Sequence, residues 1–175
     1  MKHKVSLLTF MLATLNACTT VPTSPVQAAP EALKAPADQS FTFDFAAEGV
    51  QIYACKTNAK DSNKYEWVFL APEAKLFDQQ GNVVGKHYAG PSWESNDGSK
   101  VVGEVVARAD SADANAIPLL LLKAKSNSGT GIFSQVKSIQ RVSTKDGKAP
   151  NITCDGSNLG KEVRIAYTAR YNFFR

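Results

Sequence analysis

Glu162-Val163-Arg164-Ile165-Ala166-Tyr167-Thr168-Ala169-Arg170-Tyr171-Asn172-Phe173-Phe174 runs almost to the C-terminus and decides the class of the fold. Val163, Ile165, Tyr167, Ala169, Tyr171 and Phe173 occupy every second position, and Glu162, Arg164, Thr168, Arg170 and Asn172 stand between them. Successive side chains of a strand leave opposite sides of the pleat, so period two over this length describes a long strand with one buried face. Its aromatic ending predicts a terminus docked in the fold, and a domain destabilised by its removal.

The same period recurs upstream. In residues 49–55, Val50, Ile52 and Ala54 alternate with Gln51 and Tyr53. Trp67-Val68-Phe69-Leu70 reads as a strand that halts at Ala71-Pro72, because proline brings no N–H to a ladder. Lys75-Leu76-Phe77 and Val83-Val84 read as a hairpin around Gly81 and Asn82, which tolerate positive φ. Residues 101–108 and 119–124 continue the series, with a polar connection over 109–116 that holds a short helical turn. Residues 132–142 read as strand for their β-branched content, although Ile132, Phe133, Val136 and Ile139 also fit one helical face. Closely spaced strands with Gly, Pro and Asn turns predict an all-β domain, an antiparallel β-sandwich or flattened β-barrel.

The N-terminus differs in kind. Lys2, His3 and Lys4 precede an apolar run over 5–15, shorter than the roughly 20 residues that cross a bilayer. Residues 1–17 therefore read as a signal peptide. Leu15-Asn16-Ala17-Cys18 resembles the bacterial lipoprotein lipobox, whose cysteine sulfur receives diacylglycerol, which makes Cys18 the expected lipidation site. The competing reading is ordinary secretion with cleavage near Val26-Gln27-Ala28. Pro22, Pro25, Pro30 and Pro36 make residues 18–40 a flexible tether. Residues 41–175 remain as one β-rich domain, long enough to bury a core. The expected location is extracytoplasmic, anchored in the periplasm or at the outer membrane, or otherwise secreted.

Charge and cysteines narrow the possibilities. The chain has 20 basic and 16 acidic residues. Lys2 and Lys4 leave with the leader, so 18 basic face 16 acidic residues and the net is +2. Nucleic-acid binding has no support in that balance. With Cys18 lipidated, Cys55 and Cys154 are left to form a disulfide in an oxidising compartment. The alternatives are two free thiols or a metal site, but two thiols and one distant histidine lack zinc-ligand spacing. The disulfide would close a loop of about 100 residues, worth about 4.7 kcal/mol in the chain-entropy picture.

His87 is the one histidine of the mature chain, which excludes a multi-histidine metal centre; neither metal nor cofactor is expected. It reads either as a polar contact in a pocket or as an imidazole bonded to backbone in a turn. Trp93, beyond the turn Gly90-Pro91-Ser92, either caps the core or presents a ring face to a sugar or planar ligand. Glu94 and Asp97 could act as a glycosidase carboxylate pair, or join His87 in acid–base work. Acids beside glycine turns are also common for backbone reasons alone. Residues 126–131 lack the lysine and helix of a phosphate loop. Arg141 and Arg164 are candidate anion contacts, against the ordinary fate of strand arginines in surface ion pairs.

Gly85-Lys86-His87-Tyr88-Ala89-Gly90-Pro91-Ser92-Trp93-Glu94, Asp97-Gly98-Ser99, Ile139-Gln140-Arg141-Val142 ahead of Ala149-Pro150, and Tyr167-Thr168-Ala169 carry a resemblance. From about Gly49 to the C-terminus the chain resembles the secreted bacterial and fungal family called domain of unknown function 3455. The resemblance implies secretion and a β-rich domain, and no activity. Leu119 after Pro118 and Arg170 depart from its aromatic and acidic pattern, so any site they line would differ in specificity. The leading expectation is a domain that binds a small molecule or glycan at a loop bearing His87, Tyr88 and Trp93, with Arg141 nearby. The alternatives are a hydrolase or lyase using His87 with Glu94 or Asp97, and an envelope-interaction protein without a pocket.

Overall fold

The computed structural model describes residues 29–175, so the leader, Cys18 and the first part of the tether lie outside the described residues. Eight strands follow one another: β1 (Phe41–Thr57), β2 (Tyr65–Phe77), β3 (Val83–Tyr88), β4 (Ser92–Ser95), β5 (Lys100–Ala109), β6 (Leu119–Ser128), β7 (Ser138–Asp146) and β8 (Glu162–Phe174). Each pairs antiparallel with the next, and β8 returns to β1 to close a barrel. Closure is the barrel form of the expected all-β domain, and it removes the free sheet edges that invite aggregation. The C-terminal run is the closing stave. It pairs with β1 from Phe41 opposite Phe174 to Ala54 opposite Glu162, and with β7 on its other side. Tyr167, Ala169, Tyr171 and Phe173 point inward and are buried, as the period predicts.

Four local expectations give way. β2 does not halt at Pro72. Ile52 lies opposite Ala71 and Tyr53 opposite Phe69, so Leu70 forms a bulge, and the strand runs on to Phe77. Pro72 is tolerated there because β3 pairs with β2 only from Ala74 onward, leaving no bond for its missing N–H on that side. Residues 132–137 are turn rather than strand, and β7 starts at Ser138. The connection over 109–116 holds turns without a helix. Ser92 and Trp93, expected in and just beyond a turn, begin strand β4.

The interior is apolar and the exterior charged. Phe45, Leu76, Trp93, Val101, Leu122, Phe133, Ile139, Tyr171 and Phe173 form one core. On the outer wall Glu48, Lys75, Lys86, Glu94 and Lys100 are successive register partners across β1 to β5. A barrel that spans a membrane has the inverse arrangement, with an apolar outer band.

One end of the barrel is filled. Phe43 stacks on Phe173 at 4.9 Å between centroids, and Phe133 packs against Phe173 at 5.0 Å and Phe45 at 6.1 Å. Phe133 comes from the β6–β7 connection, which is pinned from both sides. The Ile132 N–H donates to Asp97 Oδ2 (2.9 Å) and the Phe133 N–H to Ser99 Oγ (3.1 Å), while Asn127 Nδ2 donates to the Phe133 carbonyl (2.7 Å). Gly131 has φ 151° and lies so close to Asp97 that a Cβ would sit 2.4 Å from Oδ2. The Ser99 hydroxyl and backbone N–H, together with the Ile132 N–H, hold the Asp97 carboxyl down to about 2.

Residues 29–40, expected as tether, run along the outer wall instead. Ser40 and Arg175 exchange backbone hydrogen bonds at the filled end. A 3-10 turn, Glu31–Leu33, lies against β5 and β6 with Leu33 fully buried. Asn172 Nδ2 donates to Gln140 Oε1, and Gln140 Nε2 donates to the Leu33 carbonyl at 2.6 Å. Ala29 and Pro30 reach the loop over 110–113 at the opposite end. There Cys55, near the end of β1, is disulfide-bonded to Cys154 in the β7–β8 connection, as expected.

Candidate functional site

Unequal strand lengths open the barrel at the end opposite the phenylalanines. β3 and β4 have 6 and 4 residues, against 13 in β2 and 10 in β5. β4 meets β5 only from Ser92 opposite Val102 to Glu94 opposite Lys100. Above the tip of the short hairpin, Ala89-Gly90-Pro91, its two neighbours have nothing between them. The notch is bordered by Phe69, Leu70 and Pro72 from β2 and by Val105 and Arg108 from β5, and it leads into a cavity of about 360 Å³. Its rim is apolar and wet: Phe69 is 48% exposed, Leu70 and Val105 38% each.

Inside, His87 and Trp93 are register partners on β3 and β4. Their rings stack at 4.4 Å with 17° between planes, and Tyr171 packs against them at 5.0 and 5.2 Å. Gly103 makes this possible. A Cβ there would lie 3.0 Å from Trp93 Cζ3 and 3.1 Å from Leu122 Cδ2, so the indole occupies space that any other residue would claim. His87 Nδ1 lies 2.9 Å from the Ser92 carbonyl, which can only accept, so Nδ1 carries the proton and Nε2 is left as acceptor. Burial pushes the imidazole down to about 3; the charge of Arg141 acts in the same direction, and the bond to Ser92 opposes it. His87 is thus a neutral imidazole at physiological pH, combining both sequence readings, since it lines a pocket and is bonded to backbone.

Strand alternation separates it from the carboxylates. Because Trp93 points inward, Glu94 points outward, where it accepts from the Tyr88 hydroxyl (2.6 Å) and pairs with Lys86 (3.0 Å). Those bonds lower the Glu94 carboxyl, and the same bond to Glu94 raises the Tyr88 phenol. Asp97 is at the filled end, committed to Ser99 and Ile132. Neither acid shares a compartment with His87, and Tyr88 lies on the outer wall. Of the expected ligand contacts, the cavity gathers His87, Trp93 and Arg141. The two positions that depart from the family pattern also lie elsewhere: Arg170 pairs with Asp44, and Leu119 borders an outer groove beside Ser143 and Thr144.

Arg141 and Arg164 part company. Arg164 forms a surface ion pair with Glu73 at 2.9 Å. Arg141 points into the barrel, opposite Tyr171 on β8 and Leu120 on β6, and its Nε donates to the Pro118 carbonyl at 3.0 Å. No carboxylate pairs with it among the described residues.

Sequence reasoning missed Gln51, Tyr167 and Tyr171. Gln51 and Tyr171 line the cavity, and Tyr167 is a register partner of Gly49 on the adjoining wall. Trp93 Nε1 is buried without a hydrogen-bond partner, while Gln51, Tyr167, Tyr171 and Arg141 form a row of neighbouring polar groups in which Gln51 Nε2 and both hydroxyls fall short of full hydrogen-bond geometry. Burial raises both phenols, so they stay protonated. The available signal was hydroxyl-bearing rings on the inward phase of the C-terminal run.

With Cys55 and Cys154 joined, no free thiol is present among the described residues, and no group of three metal-ligating side chains occurs among them. The family described as protein of unknown function (DUF3455) matches residues 36–175. No curated protein and no solved structure matches the chain.

Proposed function

This chain belongs to the DUF3455 family, whose description names no activity, and we propose that its barrel binds one small, largely apolar molecule, entering through the notch and resting on His87, Trp93 and Tyr171. The observation that carries this reading is the cavity of about 360 Å³, lined by rings and aliphatic side chains and holding buried polar atoms without partners. An unsatisfied buried group costs about 1–3 kcal/mol, and an occupant that met several of them would recover much of that. The volume falls within the roughly 300–1,000 Å³ of small-molecule sites. A compact apolar occupant fits better than a glycan, because the rim is apolar and carboxylates that could accept from sugar hydroxyls are absent from the lining. Nothing in the site favours the hydrolase reading, since a neutral imidazole held near 3 is a poor base at neutral pH.

The setting we propose is extracytoplasmic, with residues 1–17 removed and Cys18 acylated. The Cys55–Cys154 disulfide is in keeping with an oxidising compartment. Replacing Cys18 by Ala is expected to move the protein from the detergent phase to the aqueous phase on partitioning; retention in the detergent phase would sink the anchor.

For the site, the full chain with its disulfide intact is screened by thermal unfolding against aromatic and short aliphatic compounds. A ligand at 100 times its Kd adds about 2.7 kcal/mol and raises Tm by several degrees. Val105→Trp, at the half-exposed rim where the fold tolerates bulk, is expected to reduce that shift. Ligands indifferent to Val105→Trp and to Trp93→Phe would place binding elsewhere.

A further inference from the structure

We infer that the molecule held in this barrel carries a carboxylate, seated against Arg141, and not merely an uncharged polar end. The inference rests on the binding reading above and names the chemistry of the ligand's head.

The charged lining of the cavity is cationic. A guanidinium has five N–H donors and no acceptor, and an indole N–H only donates. Arg141 uses its Nε on the Pro118 carbonyl, and its guanidinium lies beside the Tyr171 hydroxyl; no carboxylate among the described residues meets its terminal nitrogens. Trp93, Gln51 and Tyr171 line the same cavity and are 1, 2 and 1% exposed; Trp93 Nε1 and Gln51 Nε2 are buried without a hydrogen-bond partner, and the Tyr171 hydroxyl sits beside the Arg141 guanidinium and Tyr167. Among the lining residues the charged ones are Arg108 and Arg141, and none is acidic. The outward-facing strand arginines 164 and 170 each have a carboxylate partner supplied by the fold. The inward-facing one has none.

A partly buried cation beside unpaired donors calls for an oxyanion. A planar carboxylate matches the fork of a guanidinium with two parallel hydrogen bonds, and such charge-assisted bonds are roughly twice as strong as neutral ones. One inward cation suits a monoanion better than a doubly charged phosphate, because Arg108 stands at the exposed rim. Leu120, Leu122, Ile117 and Pro72 leave the remainder of the cavity to an apolar body. The ligand class is therefore a small aromatic or medium-chain carboxylic acid.

Isothermal titration of the full, oxidised chain with 2-naphthoate, decanoate and their primary amides tests this. The acids are expected to bind at least about tenfold more tightly than the matching amides, as a charge-assisted pair is stronger than a neutral one. Arg141→Gln should bring the ratio to near one, and Tyr171→Phe, which keeps the ring that closes the barrel, should lower it a few-fold. Should Arg141→Gln fail to fold, Arg141→Lys and Tyr171→Phe read the same ratio. Amides that bind as well as the acids, or a preference that survives loss of Arg141, overturn the carboxylate while leaving the cavity as a binding site. Absence of heat with all four probes, together with no thermal shift from any compound of the wider screen, overturns both.

Discussion

At the filled end, Phe43, Phe45, Phe133 and Phe173 meet ring to ring, and the connection that delivers Phe133 is held by Asp97, Ser99 and Asn127. At the open end, His87, Trp93 and Tyr171 also meet ring to ring, but Trp93 Nε1, the Tyr171 hydroxyl and Gln51 Nε2 fall short of full hydrogen bonds, and Phe69, Leu70 and Val105 face water. Both ends are aromatic. One is closed upon itself, with the backbone donors of its connection satisfied by Asp97 and Ser99; the other encloses a cavity. The contrast sets where stability and the proposed binding are to be tested, the first at the filled end and the second at the open end.

Phe173→Ala should cost most, about 3–5 kcal/mol for a fully buried ring, read as a fall in the urea midpoint; a loss below 1 kcal/mol would break the contrast. The disulfide sharpens it from the other side, since Cys55–Cys154 ties β1 to the β7–β8 connection at the open end. Replacing both cysteines by Ser is expected to cost about 2–5 kcal/mol, while the Phe133 cluster keeps its near-ultraviolet signature. His87 titrates the open end. Its folded pKa, about 3, lies below the ordinary 6.5, so the unfolded chain binds the proton first. Stability is then full above about pH 6.5 and falls toward pH 3, by about 2 kcal/mol at pH 5. His87→Phe should flatten that slope in urea titrations at pH 7, 6 and 5, and an unchanged slope would assign it to another group. Asp97 titrates the filled end, lower down. Its carboxyl, near 2 against an ordinary 3.8, contributes fully above about pH 4 and is lost as the pH falls toward 2. Asp97→Asn should cost about 1 kcal/mol at pH 7 and erase that acid limb. Smallest in stability is Val105→Ala, within about 0.5 kcal/mol as a rim substitution, yet it should weaken ligand binding measurably.

Legibility in the sequence followed the same divide. The C-terminal period and the turn glycines predicted an all-β domain, and the odd cysteine count predicted the Cys55–Cys154 pair. Period two says that a strand has two faces without saying which is inner. In β1 the apolar Val50 and Ile52 turn outward while Gln51 and Tyr53 line the cavity, because the interior there is a cavity and not packed core. The short segment of β4 hid behind Gly90-Pro91, whose turn chemistry masked a four-residue strand. Once His87 and Trp93 were read as a loop, neighbours such as Tyr88 and Glu94 joined them. On paired strands the same neighbours fall on opposite sides of a wall, and the distant Gln51, Arg141 and Tyr171 come near instead. Contacts of that separation depend on barrel register, which no local window contains.

The strap over residues 29–40 starts from the filled end, where β1 begins, and climbs the wall to finish beside the β5–β6 connection, whose Ile117 and Pro118 line the cavity. A chain leaving the barrel there leaves on the cavity's side. Ten residues lie between Cys18 and Ala29, a reach of at most about 40 Å when fully extended. With Cys18 acylated as proposed, the lipid would be tied to the same end of the barrel as the cavity mouth.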